Sequence, residues 1–165
     1  MTKQILSMET KEKITEKKSE SGKLLAVVRI HGMVQVKYDV DEALNRLRLR
    51  RKYACVLVDS TDRTRMGMLK KARFFVAYGE IDENVLIQLI KTRGKSLSGN
   101  RKKISVSAEE VAAGLLQGKK LSDFGLKPFF RLHPPRKGIN SKLQYPKGAL
   151  GNHKKNINTL LERMM

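Results

Sequence analysis

Three short apolar runs divide the first half of the chain and predict buried strands. The runs occupy residues 24–30, 54–58 and 74–78 and are rich in aliphatic and aromatic side chains. The continuous run at 54–58 is typical of a strand that is buried on both faces or nearly so, and the other two runs are also typical of strands. Polar residues separate the runs, so we expect three distinct strands joined by longer connections.

Apolar residues recur at helical spacing within the first of these connections. They fall at i, i+3, i+4 and i+7 over residues 40–47, which places them on one face of a helix. Asp39 is predicted to cap this helix in a capping-box arrangement. In the second connection, a helix is predicted to start at Thr64 or Arg65, because Asp62 and Thr64 are both good caps. The first half therefore alternates strand and helix.

The second half continues with helices and then becomes irregular. The pattern predicts a short strand over 129–132 and helices over 82–94, 107–118 and 157–164. Three parts follow from these assignments. They are a mixed basic and acidic disordered tail over 1–22, a strand-and-helix core over 23–80, and an extension with helices and a long irregular loop over 81–165.

The chain carries a large excess of positive charge. It has 35 Lys plus Arg against 16 Asp plus Glu, which gives a formal net charge of +19 over 165 residues. Such a chain binds polyanions, either nucleic acid or anionic lipid. The cations lie in loops and at helix ends rather than on one amphipathic helix, which favours folded RNA over a membrane surface. Aromatic residues make up only 5% of the chain, too few for binding dominated by base stacking.

Cysteine usage and hydropathy exclude several further classes of protein. The single cysteine, Cys55, lies in an apolar run and leaves neither a disulfide nor a cysteine-based zinc site. No apolar stretch reaches the length of about 18 residues that a membrane span requires, and the N-terminus lacks the apolar block of a signal peptide. We therefore expect a cytoplasmic protein with no membrane partner.

Residues that could support catalysis or metal binding are scarce. Asp59 and Asp62 could share a metal ion as in a nuclease, but a two-metal site needs more carboxylates, and turn formation is the preferred interpretation. His31, His133 and His153 lack spaced cysteine or carboxylate partners, so contact with phosphate or base is preferred to metal binding. No nucleotide-binding glycine motif is present. We expect no enzyme activity, no cofactor and no small-molecule substrate.

Clusters of cations supply the candidate RNA contacts. Five cations lie within seven positions at the end of the first helix, which is more than capping of a helix C-terminus requires. Gly67, in the first turn of the second helix, either lets a phosphate backbone approach the exposed amides or serves as a packing glycine. The candidates are Arg29, His31, Arg48, Arg50, Arg51, Lys52, Arg63, Arg65, Gly67, Lys70, Lys71, Arg93, Lys95, Arg101 and Lys102.

The loop-rich segment 133–155 is predicted to become ordered only against RNA. It contains three prolines and three glycines with few apolar residues, and an irregular loop of this length is unusual in an isolated domain. A protein with these features is either a fixed component of a folded RNA assembly or a free-standing RNA chaperone or nucleoid-type protein. The composition alone leaves both interpretations open.

Four segments carry a resemblance to a known family. They are FFVAYGE at 74–80, LIQLIKTRGK at 86–95, FFRLHPPRKG at 129–138 and GALGNHKKNINTLLERM at 148–164. In this order they resemble the archaeal and eukaryotic-type large-subunit ribosomal protein L-thirty, whose eukaryotic relative is called L-seven. The resemblance covers about residues 23–165.

This resemblance implies an α+β fold, with a β-α-β-α-β core, a mainly antiparallel three-stranded sheet and two helices on one face. It also implies a C-terminal extension, binding to large-subunit rRNA, 5S rRNA close by, and neighbouring ribosomal proteins. The family's basic residue before the glycine of helix two is replaced here by Met66, so Arg63 or Arg65 is expected to supply that contact. The resemblance adds as candidates Arg131, His133, Arg136, Lys137, Asn152, His153 and Lys154.

Overall fold

A computed structural model describes residues 22–97, 107–139 and 141–165. Three central strands form the frame: β1 (Leu24–Arg29), β2 (Ala54–Asp59) and β3 (Val76–Glu80). β1 lies in the middle and pairs antiparallel with both neighbours, so that Val27 faces Val56 on one side and Tyr78 on the other. All three apolar runs are confirmed as strands, although β3 lies two residues later than the predicted 74–78.

Two very short strands from the extension complete the sheet. β4 (Phe130–Arg131) pairs antiparallel with β2, and β5 (Gly151–Asn152) pairs parallel with β3. The order is β4-β2-β1-β3-β5, so the sheet has five strands and is mixed. The expectation of a mainly antiparallel three-stranded sheet was wrong in strand number. The short strand predicted over 129–132 joins the sheet as β4, and β5 has only two residues, too few to show an alternating pattern.

Two helices cover one face of the sheet. α1 (Tyr38–Arg46) connects β1 to β2, and α2 (Arg63–Ala72) connects β2 to β3. Their apolar sides, including Leu44 and Leu69, pack with Val27 of the central strand in one buried cluster. The predicted pair of helices on a single face is confirmed.

The extension covers the opposite face with three further helices, α3 (Glu83–Arg93), α4 (Ala108–Leu116) and α5 (Ile157–Met164). They pack against the alternate residues of β1, including Ala26 and Val28, in a second buried cluster. Because successive residues of a strand point to opposite faces, a fully buried β1 requires both layers. No helix in the described ranges is long and apolar enough to cross a membrane.

The helix caps predicted from the sequence agree with the structure for α2 but not for α1. Asp62 caps α2, and its Oδ1 accepts hydrogen bonds of 3.1 Å from the backbone N–H groups of Thr64 and Arg65. The predicted cap of α1 was wrong. The helix begins at Tyr38, one residue before Asp39, and Lys37 occupies the N-cap position without a side-chain hydrogen bond to the helix. Asp39 instead lies in the first turn, where a carboxylate interacts favourably with the helix dipole.

The described residues of the loop-rich segment, 133–139 and 141–155, include β5. A short 3-10 helix, Lys154–Asn156, ends the segment, and a second such helix, Leu121–Phe124, precedes it. Pro135 and Leu150 are buried. These side chains pack against the rest of the protein, and ordering of the segment by RNA stays a prediction.

Candidate nucleic-acid interface

In the loop between α1 and β2, buried leucines alternate with exposed arginines. Leu47 and Leu49 are buried, whereas Arg48 and Arg50 are exposed. The loop folds back on the helix through a 2.8 Å hydrogen bond from the Leu49 N–H to the carbonyl oxygen of Leu44. Burial of the leucines thus holds the cations outward in fixed positions.

Arg29 is buried beneath this loop and hydrogen-bonds to its backbone. Its Nη1 donates to the carbonyl oxygens of Leu49 at 2.7 Å and Arg50 at 3.2 Å. Nε and Nη2 donate to the carbonyl oxygens of His31 at 3.1 Å and Gly32 at 2.9 Å. Burial lowers the pKa of the guanidinium. Arg29 has no exposed surface in the free chain, and its contact with RNA stays a prediction.

A groove of about 390 Å³ gathers four arginines at the β4 edge of the sheet. Arg131 faces Ala54 across the β2–β4 pair, which brings it beside the α1–β2 loop despite its distance along the chain. The groove is lined by Arg48, Arg50, Arg51, Ala54, Phe129 and Arg131, and we call it the arginine groove. No carboxylate is among its lining residues, so it forms a strongly positive site for an anion.

Aromatic rings support the cations around this groove. The guanidinium carbon of Arg131 lies 5.8 Å from the centre of the Phe129 ring, and Nζ of Lys52 lies 4.8 Å from that of Tyr53. Such cation–π contacts restrict long side chains while leaving their charge available. Lys52, predicted with the arginines, therefore extends the same positive surface.

The predicted cations of α2 form a second exposed group. Arg63, Lys70 and Lys71 are exposed. Arg65 is also exposed, but its Nε lies 3.2 Å from Oδ2 of Asp62. Gly67 is the fifth residue of α2, just beyond its first turn. A Cβ added there would meet no described atom within 4 Å, so the packing explanation for this glycine does not fit, whereas open space for an approaching backbone does.

The loop that follows β4 presents His133, Arg136 and Lys137 on the surface. Arg163 of α5, which the sequence did not single out, holds this loop. Its Nη2 donates to the carbonyl oxygens of Arg136 at 2.7 Å and Gly138 at 2.8 Å. The partners lie more than 20 residues apart along the chain, so no local pattern could have indicated the contact.

Residues around β5 divide between the surface and the interior. Asn152 and Lys154 are exposed, and Oδ1 of Asn152 accepts a 2.9 Å hydrogen bond from the Lys154 N–H. His153 is buried: Nε2 lies 3.0 Å from the carbonyl oxygen of Ala149, and its ring lies 4.6 Å from that of Tyr145. Burial lowers the pKa of His153. His153 thus packs in the interior of the free chain, and its contact with RNA stays a prediction.

The remaining candidates lie apart from the arginine groove. His31 is half-buried, with its ring 5.0 Å from that of Phe75. Arg93 is half-buried and donates to the carbonyl oxygen of Met165, whereas Lys95 is exposed. Two candidates, Arg101 and Lys102, lie outside the described residues, as does the predicted tail up to residue 21.

A further pair of cations was not among the predicted contacts. Lys119 and Lys120 are exposed beside β2, where with Arg48 and Arg65 they line a cavity of about 330 Å³. A local signal was present in the sequence, since both lysines directly follow Gly118 at the end of a predicted helix.

The arrangement defines a class of protein. Exposed cations converge at one edge of an α+β sheet, and the described part of the chain contains no group of three or more His, Cys, Asp or Glu side chains placed to hold a metal ion. These features are those of a basic, polyanion-binding protein.

Comparison with known proteins identifies the family. The sequence profile of ribosomal protein L30p/L7e matches residues 25–76. The large ribosomal subunit protein uL30 of Archaeoglobus fulgidus is 44% identical over 153 residues, which cover 86% of this chain and 99% of the relative. Those of Methanococcus maripaludis and Nanoarchaeum equitans are 40% and 38% identical, over 85% of this chain and 98% and 97% of the relatives. The chain belongs to the L30p/L7e family of ribosomal proteins.

Proposed function

We infer that this chain is a structural constituent of the large ribosomal subunit in the cytoplasm, where it binds large-subunit rRNA. The observation that carries this function is the arginine groove, in which four guanidinium groups converge without a lining carboxylate. Because the chain belongs to a family of ribosomal proteins, we infer that the polyanion bound is rRNA. The role is structural rather than catalytic.

The proposed mechanism is neutralisation of phosphate charge. Arginines in the groove donate paired hydrogen bonds to phosphate oxygens, and each contact releases counterions condensed on the RNA. The buried leucines and Arg29 hold the cations in place before RNA arrives, so less conformational entropy is lost on binding. Arg63, Lys70 and Lys71 of α2 provide a second set of phosphate contacts at another site on the same surface.

We extend the proposal to 5S rRNA and to neighbouring ribosomal proteins as partners. The resemblance to the family supports this extension, and the exposed His133, Arg136 and Lys137 offer a surface for it. Crosslinking of assembled subunits, followed by sequencing of the attached RNA, would distinguish 5S rRNA from large-subunit rRNA.

A salt series tests the phosphate mechanism. For Arg50→Gln/Arg51→Gln, we expect weaker binding to large-subunit rRNA fragments and a shallower plot of log K against log salt concentration. The slope should fall by about 0.7 to 0.9 for each phosphate that the variant no longer neutralises. The matched control is Lys23→Gln/Lys91→Gln, which removes the same charge from lysines that lie beside Glu80 and Glu109. Equal slopes for the two double variants would overturn the arginine groove as the RNA site.

Sedimentation distinguishes a ribosomal role from a free-standing RNA chaperone. We expect the tagged chain to sediment with large subunits at moderate salt. A chain that stays in the unbound fractions while still binding RNA would favour the chaperone.

A further inference from the structure

The loop from His31 to Tyr38 exposes an unusual concentration of apolar side chains. Met33 is 63% exposed, Val34 78% and Tyr38 81%. These are three of the seven exposed large apolar side chains in the described residues, and they lie within six consecutive positions. We call residues 31–38 the apolar loop. Adjacent exposed apolar side chains of this kind mark surfaces that a partner covers.

The apolar loop is held firmly at its base. Arg29 donates hydrogen bonds to the carbonyl oxygens of His31 and Gly32. The N–H groups of Ile30 and His31 both donate to the carbonyl oxygen of Phe75 at 3.1 Å. The buried anchor therefore presents a shaped surface, and a shaped surface loses little entropy on binding.

Charge around the apolar loop differs from that of the rest of the chain. Residues 30–45 contain one lysine, Lys37, and three acids, Asp39, Asp41 and Glu42, so their net charge is 1 − 3 = −2 in a chain of +19. Asp41 accepts a 3.0 Å hydrogen bond from Asn45 and interacts electrostatically with Arg29, and Glu42 forms an ion pair with Arg46. Asp39 has no ion-pair partner among the described residues. This surface therefore attracts phosphates less than the basic remainder of the chain does, and Asp39 can attract a lysine or arginine.

We propose that the apolar loop docks a basic segment of another protein in the same subunit. An apolar side chain of the partner packs against Met33, Val34 and Tyr38, and its cations face Asp39 and Asp41. Apolar and tyrosine side chains at the centre with charges at the rim form the usual anatomy of a protein–protein contact. This inference rests on the proposed ribosomal function, because the partner belongs to that assembly.

Site-specific photocrosslinking in assembled subunits tests the docking. A benzophenone side chain replaces Val34 in one variant and Lys52 in another, and the crosslinked species are identified after nuclease and protease digestion. We expect Val34 to yield a peptide rich in Lys and Arg, and Lys52 to yield nucleotides. Nucleotides at Val34, or no crosslink there while Lys52 crosslinks to RNA, overturn the docking alone. A chain that does not enter subunits overturns the proposed function and this inference with it.

Replacing the exposed apolar side chains with polar ones provides a second test, which should not affect folding. Met33→Ser/Val34→Ser changes exposed side chains only, so thermal unfolding should match that of the unaltered chain. Retention on subunits through a high-salt wash, which weakens phosphate contacts, should fall about fivefold or more. The control is Leu116→Ser/Leu143→Ser, at exposed leucines elsewhere. Equal retention of both double variants would overturn the proposal.

Discussion

Nη1 of Arg29 donates a 2.7 Å hydrogen bond to the carbonyl oxygen of Leu49, and through this contact a buried cation sets the path of a loop that carries exposed ones. The same guanidinium also holds the base of the apolar loop. One interior side chain therefore joins two surfaces for which we infer different partners. Its removal should affect both surfaces and the stability of the fold.

Arg29→Met is expected to lower the free energy of unfolding by about 3 kcal/mol. The substitution leaves carbonyl groups buried without donors, and buried hydrogen bonds to a charged group are the costly ones to remove. Urea denaturation measures the change. Arg50→Met is the matched control, because it removes the same charge from an exposed position and should weaken rRNA binding with little change in stability. Equal stability of the two variants would contradict the anchoring role.

The central frame could be predicted from the sequence because its signals are local. The strands at 24–30 and 54–58 show as apolar runs, and the final helix over 157–164 was predicted at its observed bounds. β4 was predicted as a short strand over 129–132, but its pairing with β2 was not, and β5 was not predicted at all, since each has two residues and pairs with a strand more than 70 residues away. Their pairing depends on tertiary contacts rather than on local pattern.

The charge of the candidate site residues could be read from the sequence, but whether each side chain lies on the surface or in the interior could not. Arg48 and Arg51 lie in the arginine groove as the cluster of charges suggested. Arg29 is as basic as they are, yet it is buried, because two loops cover the end of β1 and provide four carbonyl acceptors. His153 is buried for a similar reason, since Tyr145 and Ala149 surround its ring. A single sequence contains no sign of such covering groups.

His153 should make stability depend on pH. Burial lowers its pKa below the ordinary value of 6.5, so the unfolded chain takes up a proton here that the folded chain does not. Stability from this group is therefore complete above pH 6.5 and falls as the pH drops through that value towards the folded pKa. Denaturation at several pH values measures the slope. His153→Gln should flatten it, and an unchanged slope in this variant would contradict the prediction.

Arg163→Met should release the loop that follows β4. The substitution removes the donors to the carbonyl oxygens of Arg136 and Gly138, and the cost should be about 1 kcal/mol because these bonds are exposed to solvent. The Arg136 amide, which donates to the Arg163 carbonyl oxygen at 2.9 Å, should exchange its hydrogen faster. Arg163→Lys is the control for charge, since it keeps the cation but cannot make the paired contacts. If the Arg136 amide of the methionine variant exchanged its hydrogen at the same rate as in the unaltered chain, packing alone would hold the loop.

Two glycine substitutions should have opposite effects on stability. At Gly79, which is buried in β3, an added Cβ would overlap the Lys154 carbonyl oxygen. Gly79→Ala should therefore displace the short helix before α5 and destabilise the fold. At Gly67 the added methyl group has open space among the described residues. Gly67→Ala should raise the free energy of unfolding by about 0.5–1 kcal/mol, because alanine favours the helix.

Gly67→Ala is also expected to weaken rRNA binding although it stabilises the free chain. If a phosphate backbone approaches α2 at Gly67, the methyl group occupies the space that the phosphate needs. Binding to rRNA fragments at fixed salt measures the effect. Asn84→Ala is the matched control, since it places alanine at an exposed position of α3, away from the cations of α2. A gain in stability with unchanged affinity would show that the RNA does not approach this turn, and the role of α2 would then rest on its lysines alone.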